Sequence, residues 1–230
     1  MKVTVKKHII PSELAYLLGL IFIALGVAFM AHADLGVSML VAPAHVIHNL
    51  FSHKLELSFI TLGMVEFAFQ VLLLLVICLV LRRFKITYLW AFVTTFIYGI
   101  ILDAILLAVL LIPTDLFIIR VLLFIVGCLC MSIGVAFMFR TYIAPEIYEL
   151  LVIEIAETIH YDIHKFKTWF DCACCVLAII LEFAIFGLWT FEAVQIGTII
   201  FAVFNGTLIS IFGKYLDKHF DFERKIKKHK

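Results

Sequence analysis

The chain has 230 residues, of which 65% are hydrophobic and only 15% charged, with a net charge of +1 and a mean hydropathy of +1.16. Such a composition lies far outside the soluble globular range, excludes a water-soluble domain and implies an integral membrane protein.

Six apolar runs are long enough to cross a bilayer, which takes about 20 helical residues for a hydrocarbon core of about 30 Å. They cover approximately residues 14–33, 58–81, 88–112, 117–139, 169–189 and 193–213. Each run is continuous rather than alternating, and only a helix satisfies its own backbone in lipid, so helices are predicted throughout. Pro11 and Ser12 suit the start of the first span, and Pro113 marks the turn between the third and fourth. The first span imitates a secretory signal, with Lys2, Lys6 and Lys7 before it and Ala31-His32-Ala33 at its end. It is expected to be retained, because the chain uses its sequence twice.

Gly26-Val27-Ala28-Phe29-Met30 returns as Gly134-Val135-Ala136-Phe137-Met138, with Gly19 and Gly127 each seven residues earlier. Gly99 and Gly206 occupy matching places in the last span of each half. The expected organisation is one membrane domain of two related halves, about 12–112 and 116–213, with a basic tail over 214–230. Three spans is an odd number, so the second half must enter the membrane from the opposite side and the repeats are predicted to be inverted. The glycines form one small-residue face on span 1 and one on span 4, which lets helix backbones approach closely. Those two spans are predicted to cross there, near a pseudo-two-fold axis.

Charge is distributed unevenly. Of 18 Lys and Arg residues, sixteen fall on one alternating set of loops and ends, and two, Lys54 and Arg120, on the other. By the positive-inside rule both termini are cytoplasmic. Trp90 and Trp169 then lie at the cytoplasmic interface and Trp189 at the outer one. Attraction to anionic membrane lipids accounts for the basic tail, and no nucleic-acid partner is implied.

Each half carries a shorter segment after its first span, at residues 38–51 and 145–160. In the first, Ala42-Pro43 precedes His45, His48 and Asn49 on one helical face; in the second, Ala144-Pro145 precedes a stripe of Glu146, Glu149, Glu154 and Glu157. Proline favours a first helical position, where its missing donor costs nothing. Both segments read as short amphipathic helices, lying on the surface or re-entrant. Surface placement is favoured for the acidic one, since four carboxylates are costly to bury.

An ionised side chain at the centre of a membrane helix costs roughly 2.5 to 3.5 kcal/mol on insertion scales, so intramembrane acids need a reason. Glu66 and Glu182 lie near mid-span, Gln70 is one turn from Glu66, Asp103 and Asn205 sit in the last span of each half, and Asp171 lies near the cytoplasmic end of span 5. One function for this set is a proton- or cation-coupled site with Glu66 or Asp103 as the titrating carboxylate and Asn205 as a neutral partner. The alternative is interhelical hydrogen bonding, with Asp171 snorkelling to the interface. Asp34, His45, His48 and His53 gather on the outer side, but their spacing matches no strong metal motif and interfacial histidines explain them. His32 and Arg140 follow the two copies of the repeated motif and suit headgroup or anion contact, interfacial snorkelling being the commoner role. The six cysteines, at 78, 128, 130, 172, 174 and 175, fall in apolar spans and read as small buried hydrophobes. No metal and no cofactor is assigned. There is no Walker motif, Gly-x-Ser-x-Gly elbow or His-Glu-x-x-His, so catalysis is not expected.

Ala33-Asp34-Leu35-Gly36-Val37-Ser38, Gly99 with Asp103 four residues on, and Gly197-Thr198 followed by Gly206 together resemble the YczE/YyaS/YitT-like family of bacterial membrane proteins. The likeness covers most of the chain and rests on the order and spacing of these motifs. The family pattern has a proline, an aromatic and an acid after the Gly-x-Ser, where this chain has Met39-Leu40-Val41. The resemblance implies a multi-pass protein of the bacterial plasma membrane and brings no established activity; Asp34 and Ser38, within the first of these motifs, are counted among the candidate substrate- or ion-binding residues.

The expectation drawn from these features is a small-solute or ion transporter working by alternating access between the halves, an arrangement common among inverted-repeat carriers. The alternatives are a non-transporting accessory or scaffold protein, a homo-oligomer or membrane partner among its associates, and a binding subunit of a larger importer.

Overall fold

The structure is a computed structural model and describes residues 8–57, 59–187 and 194–223. Among the described residues, six helices are long and apolar enough to cross a membrane. They are α1 (Ser12–Ala33), α3 (Leu62–Leu81), α4 (Ile86–Val109), α5 (Phe117–Met138), α7 (Ile163–Phe186) and α8 (Ile196–His219), with the shorter α2 (Ala42–Asn49) and α6 (Ile147–Thr158) between. A π-helical turn, Leu50–Lys54, extends α2. Two short strands, β1 (His8–Pro11) and β2 (Phe220–Glu223), pair in parallel. Since β1 leads into α1 and β2 follows α8, both described ends lie on one face of the bundle, called here the terminal face; the opposite one is the distal face. Trp189 and the tail beyond Glu223 lie outside the described residues.

The glycine motif sets the centre. α1 packs more extensively on α5 than any other pair of elements. A Cβ on Gly26 would stand 2.7 Å from the Gly127 carbonyl oxygen, and one on Gly134 would stand 2.7 Å from that of Gly19. Gly19 therefore faces Gly134 and Gly26 faces Gly127, so the helices run antiparallel and each copy of the motif meets the other copy reversed. The remaining contacts come mostly in pairs: α1 on α4 and α5 on α8, α3 on α4 and α7 on α8, α2 on α3 and α6 on α7, α2 on α7 and α6 on α3.

Both short helices dip back into the bundle. α6 corrects the surface placement favoured from its four acids. Its N-terminal end lies beside Gln70 and Thr95, midway along α3 and α4, and its other end beside Lys85 at the terminal face. Pro145 also precedes the helix rather than opening it, since α6 begins at Ile147 with Glu146 as its N-cap. Glu146, Glu149 and Glu154 are buried and only Glu157 is exposed. Burial is tolerable because these acids meet partners: Lys167 for Glu149, Arg83 and Lys85 for Glu154, and Gln70 for Glu146. On the other side, residues 36–44, leading into α2, are buried without interruption. Pro43 does sit in the first helical turn there, as its missing N–H favours.

Lys167 is a second correction. Grouped from sequence with the loop between spans 4 and 5, it lies in α7 and is 0% exposed. The helix starts at Ile163, six residues before the apolar run, capped by the Asp162 carboxylate accepting from the Lys165 N–H at 2.9 Å. Likewise α8 continues through Lys214 to His219, so the basic segment begins as helix.

Candidate functional site

Two polar regions contain the residues singled out from the sequence. The first is sealed inside the bundle, and α3 begins it. Glu66 and Gln70, one turn apart, turn toward α6 and are both 0% exposed. Tyr148 Oη donates to Glu66 Oε2 at 3.1 Å, and Gln70 Nε2 donates to Glu146 Oε2 at 3.3 Å. The Gln70 amide oxygen accepts from Thr95 Oγ1 at 3.1 Å, and Thr95 in turn accepts from the Ile147 N–H at 3.2 Å. α4 thus fixes both the glutamine and the start of α6.

Next, α7 continues the set. The Lys167 ammonium lies 3.1 Å from Glu149 Oε1 and 3.4 Å from Asp171 Oδ1. Asn205 of α8 donates to Asp171 Oδ2 at 3.0 Å and accepts from Ser132 Oγ of α5 at 3.2 Å. Asp171 is therefore a fully buried member of this network and does not snorkel. Polar side chains from α3, α4, α5, α6, α7 and α8 meet here, in a chain otherwise dominated by leucine, isoleucine and phenylalanine.

Charge is unbalanced in this interior. Glu66, Glu146, Glu149 and Asp171 face one ammonium, all five at most 2% exposed. Outside the spanning helices, burial pushes the Glu146 carboxyl well above the usual carboxylate range, the nearby charges of Glu149 and Glu66 adding to it, against the Gln70 hydrogen bond and Lys167. Burial, with the Glu66 charge behind it, likewise raises the Tyr148 hydroxyl. Tyr148 therefore stays a donor toward Glu66.

The second region is a cavity of about 820 Å³ at the distal face, lined by His32, Asp34, His45, His48, Asp103 and Gln195, with leucines of α4 forming an apolar wall. Asp103 is anchored here: its carboxylate accepts from Thr61 Oγ1 at 2.6 Å and the Gly63 N–H at 2.9 Å, capping the start of α3. Asp34 ends α1 in a left-handed conformation and pairs with Arg120 at 2.7 Å. His32 meets the Ile112 carbonyl at 2.8 Å. Arg140, on the terminal face, pairs with both carboxylate oxygens of Asp217 at 2.6 and 2.7 Å. Among the described residues no three His, Cys, Asp or Glu side chains converge as metal ligands; the His53 side chain lies outside the description.

The structure thus divides the sequence candidates. Glu66, Gln70, Asp171 and Asn205 come together inside; Asp34 and Asp103 line the distal cavity; Glu182 is buried elsewhere, accepting from the Val194 N–H at 3.2 Å. Ser38, fully buried, uses its backbone carbonyl to accept from Val41 and Ala42 at the entrance to α2. Its neighbour Gly36 has φ +116°, and a Cβ there would stand 2.6 Å from Thr198 Oγ1. The Gly197 N–H donates to the Leu35 carbonyl at 3.1 Å. Two of the three short motifs behind the family resemblance therefore dock on each other, and the third, Gly99 with Asp103, holds α4 against the start of α3.

Lys167, Glu149, Tyr148 and Thr95 complete the interior network and were not picked out from the sequence as site residues. One signal was present: Lys167 and Asp171 are opposite charges four residues apart at the head of an apolar run, a spacing that puts them on one helical face.

A family model described as a family of unknown function, DUF6198, matches residues 10–214, and the chain belongs to that family. No curated protein and no solved structure matches it.

Proposed function

We propose that this protein is a membrane transporter of a small solute or ion, working by alternating access between two inverted three-helix halves. The observation that carries this is the buried network, in which ionisable groups costly to keep in a membrane interior are shared between α3 and α4 of one half and α5, α7 and α8 of the other. Side chains of this kind mark ion pathways and coupling sites in membrane proteins. The antiparallel glycine contact and the paired helix contacts support inversion. The two faces also differ: the distal face carries the cavity, while Arg83 and Lys85 fasten Glu154 of α6 at the terminal face. That asymmetry is what an outward-open carrier would have. The sequence motifs support a place among YczE/YyaS/YitT-like proteins of the bacterial plasma membrane, and the loop charges support cytoplasmic termini.

Uptake by proteoliposomes across a panel of solutes, with and without a pH gradient, tests this function. Accumulation of at least one solute is expected. Inversion has a separate test in single cysteines at positions 53 and 160, which should label from opposite sides of the membrane.

One observation favours a second reading, a non-transporting partner or an importer's binding subunit. Glu66, Gln70 and Asn205 have protein partners and do not line the distal cavity, as a purely structural core would require. Absent uptake together with stoichiometric co-purification of another membrane protein would establish it.

A further inference from the structure

Four carboxylates and one ammonium cannot all be ionised in a dry interior without leaving three uncompensated negative charges. The distances show where the imbalance sits. Lys167 lies between Glu149 and Asp171, and Asp171 also accepts from Asn205. Glu66 and Glu146 have no such cation among the described residues. They approach each other across Gln70, which donates to Glu146 and lies one turn from Glu66 on α3. One oxygen of each, Glu66 Oε1 and Glu146 Oε1, is buried without a hydrogen-bond partner.

An orphaned carboxylate oxygen in low dielectric is expensive, and adding a proton removes the charge at no cost in volume. An oxygen-seeking cation such as calcium needs six or more oxygen ligands. Here the Gln70 carbonyl is taken by Thr95 and the Tyr148 hydroxyl is already spent as a donor. We propose that Glu66 and Glu146 form a carboxyl pair that binds and releases one proton, while Lys167 is the fixed counter-charge of the adjoining Glu149–Asp171 pair. The groups facing the pair are Tyr16 from α1, Tyr98 from α4, Tyr148 and Glu149 from α6, and Lys167 from α7, with Cys174 of α7 behind Tyr148. Leu62, one turn before Glu66 on the same side of α3, lines the distal cavity.

Use of the proton for coupling rests on the transporter function proposed above; its binding does not. The test therefore uses the full chain in detergent, without transport, and reads the infrared carbonyl stretch of protonated carboxyl groups as pH is raised. One protonated carboxyl per chain is expected at neutral pH and its loss at alkaline pH, with that signal missing from Glu146→Gln and Glu66→Gln and kept in the exposed control Glu157→Gln. Thermal stability gives a second readout. A carboxyl whose folded pKa is raised contributes stability in full below the ordinary glutamate range, and that contribution is lost as pH rises through the raised value. Wild type should therefore soften toward alkaline pH and Glu146→Gln should flatten the curve. A wild-type spectrum with no titrating carboxyl, or its persistence in both variants, overturns the pair. If Glu146→Gln does not fold, Glu66→Gln and the wild-type spectrum decide. Proton release without solute uptake would sink transport and leave the pair standing; uptake without a titrating carboxyl would do the reverse.

Discussion

α3 and α7 stand at matching places in the bundle and have opposite chemistry. Gly99 of α4 lies against the Gly63 carbonyl, 3.1 Å from a would-be Cβ, and Gly206 of α8 faces the His164 carbonyl at 3.4 Å. Counted from those contacts, Glu66 and Lys167 fall at the same position, and so do Gln70 and Asp171. Where one helix brings an acid and an amide, the other brings a base and an acid. The two short helices differ in the same sense. α2 presents His45 and His48 to an open cavity, whereas α6 carries buried glutamates tied down by lysines and an arginine. The helix contacts on the two sides match while the charges they carry differ. Helix packing in a membrane depends on small residues at a few contacts, which leaves positions one turn away free to change.

The largest effect should come from Lys167→Met. It leaves Glu149 and Asp171 buried without their cation, a loss of roughly 3–5 kcal/mol by the usual cost of breaking a buried pair. Thermal unfolding in detergent measures it, and adding Asp171→Asn should recover part of the stability, because one orphaned charge is then gone. No recovery would mean that the two halves do not divide their charges as described. Gly26→Leu and Gly134→Leu come next, each forcing a side chain against the facing backbone at a cost of about 1–3 kcal/mol. The two should be equally damaging if the motif copies are equivalent; a clear difference between them would break that equivalence.

Glu154→Gln should cost only about 1 kcal/mol, because Arg83 and Lys85 are partly solvated. Its sharper consequence is positional: α6 should loosen at the terminal face, seen as faster amide exchange over 147–158 with α2 unaffected. Asp34→Asn at the distal face removes a pair in which the aspartate is 68% exposed, and less than about 0.5 kcal/mol is expected from the unfolding midpoint.

The six spans were legible because lipid demands continuous apolar helices, and the α1–α5 contact because glycines at a repeated spacing have few other uses in a membrane helix. Asp103 and Asn205 could be singled out as polar groups within apolar runs; Asn205 is buried and Asp103 lines the distal cavity. What stayed hidden depended on partners distant in sequence. The carboxylates of α6 look too costly to bury until Lys167, Arg83, Lys85 and Gln70 are brought to them, from α7, the α3–α4 turn and α3. Lys167 in turn resembled a loop residue because it precedes the apolar run, and only the helix start at Ile163 carries it inside. Hydropathy scores residues one at a time, whereas the burial of an ion is a property of a group.

The small sheet on the terminal face bears on assembly during synthesis. His8 lies opposite Phe220 and Pro11 opposite Glu223, so the strand ahead of the first membrane helix has no partner until the last one has been made. The β1–β2 pairing therefore acts as a closing clasp that engages only once the segment after α8 has been made. A truncated product would expose an unpaired edge strand beside the membrane, the kind of surface on which quality-control proteases act.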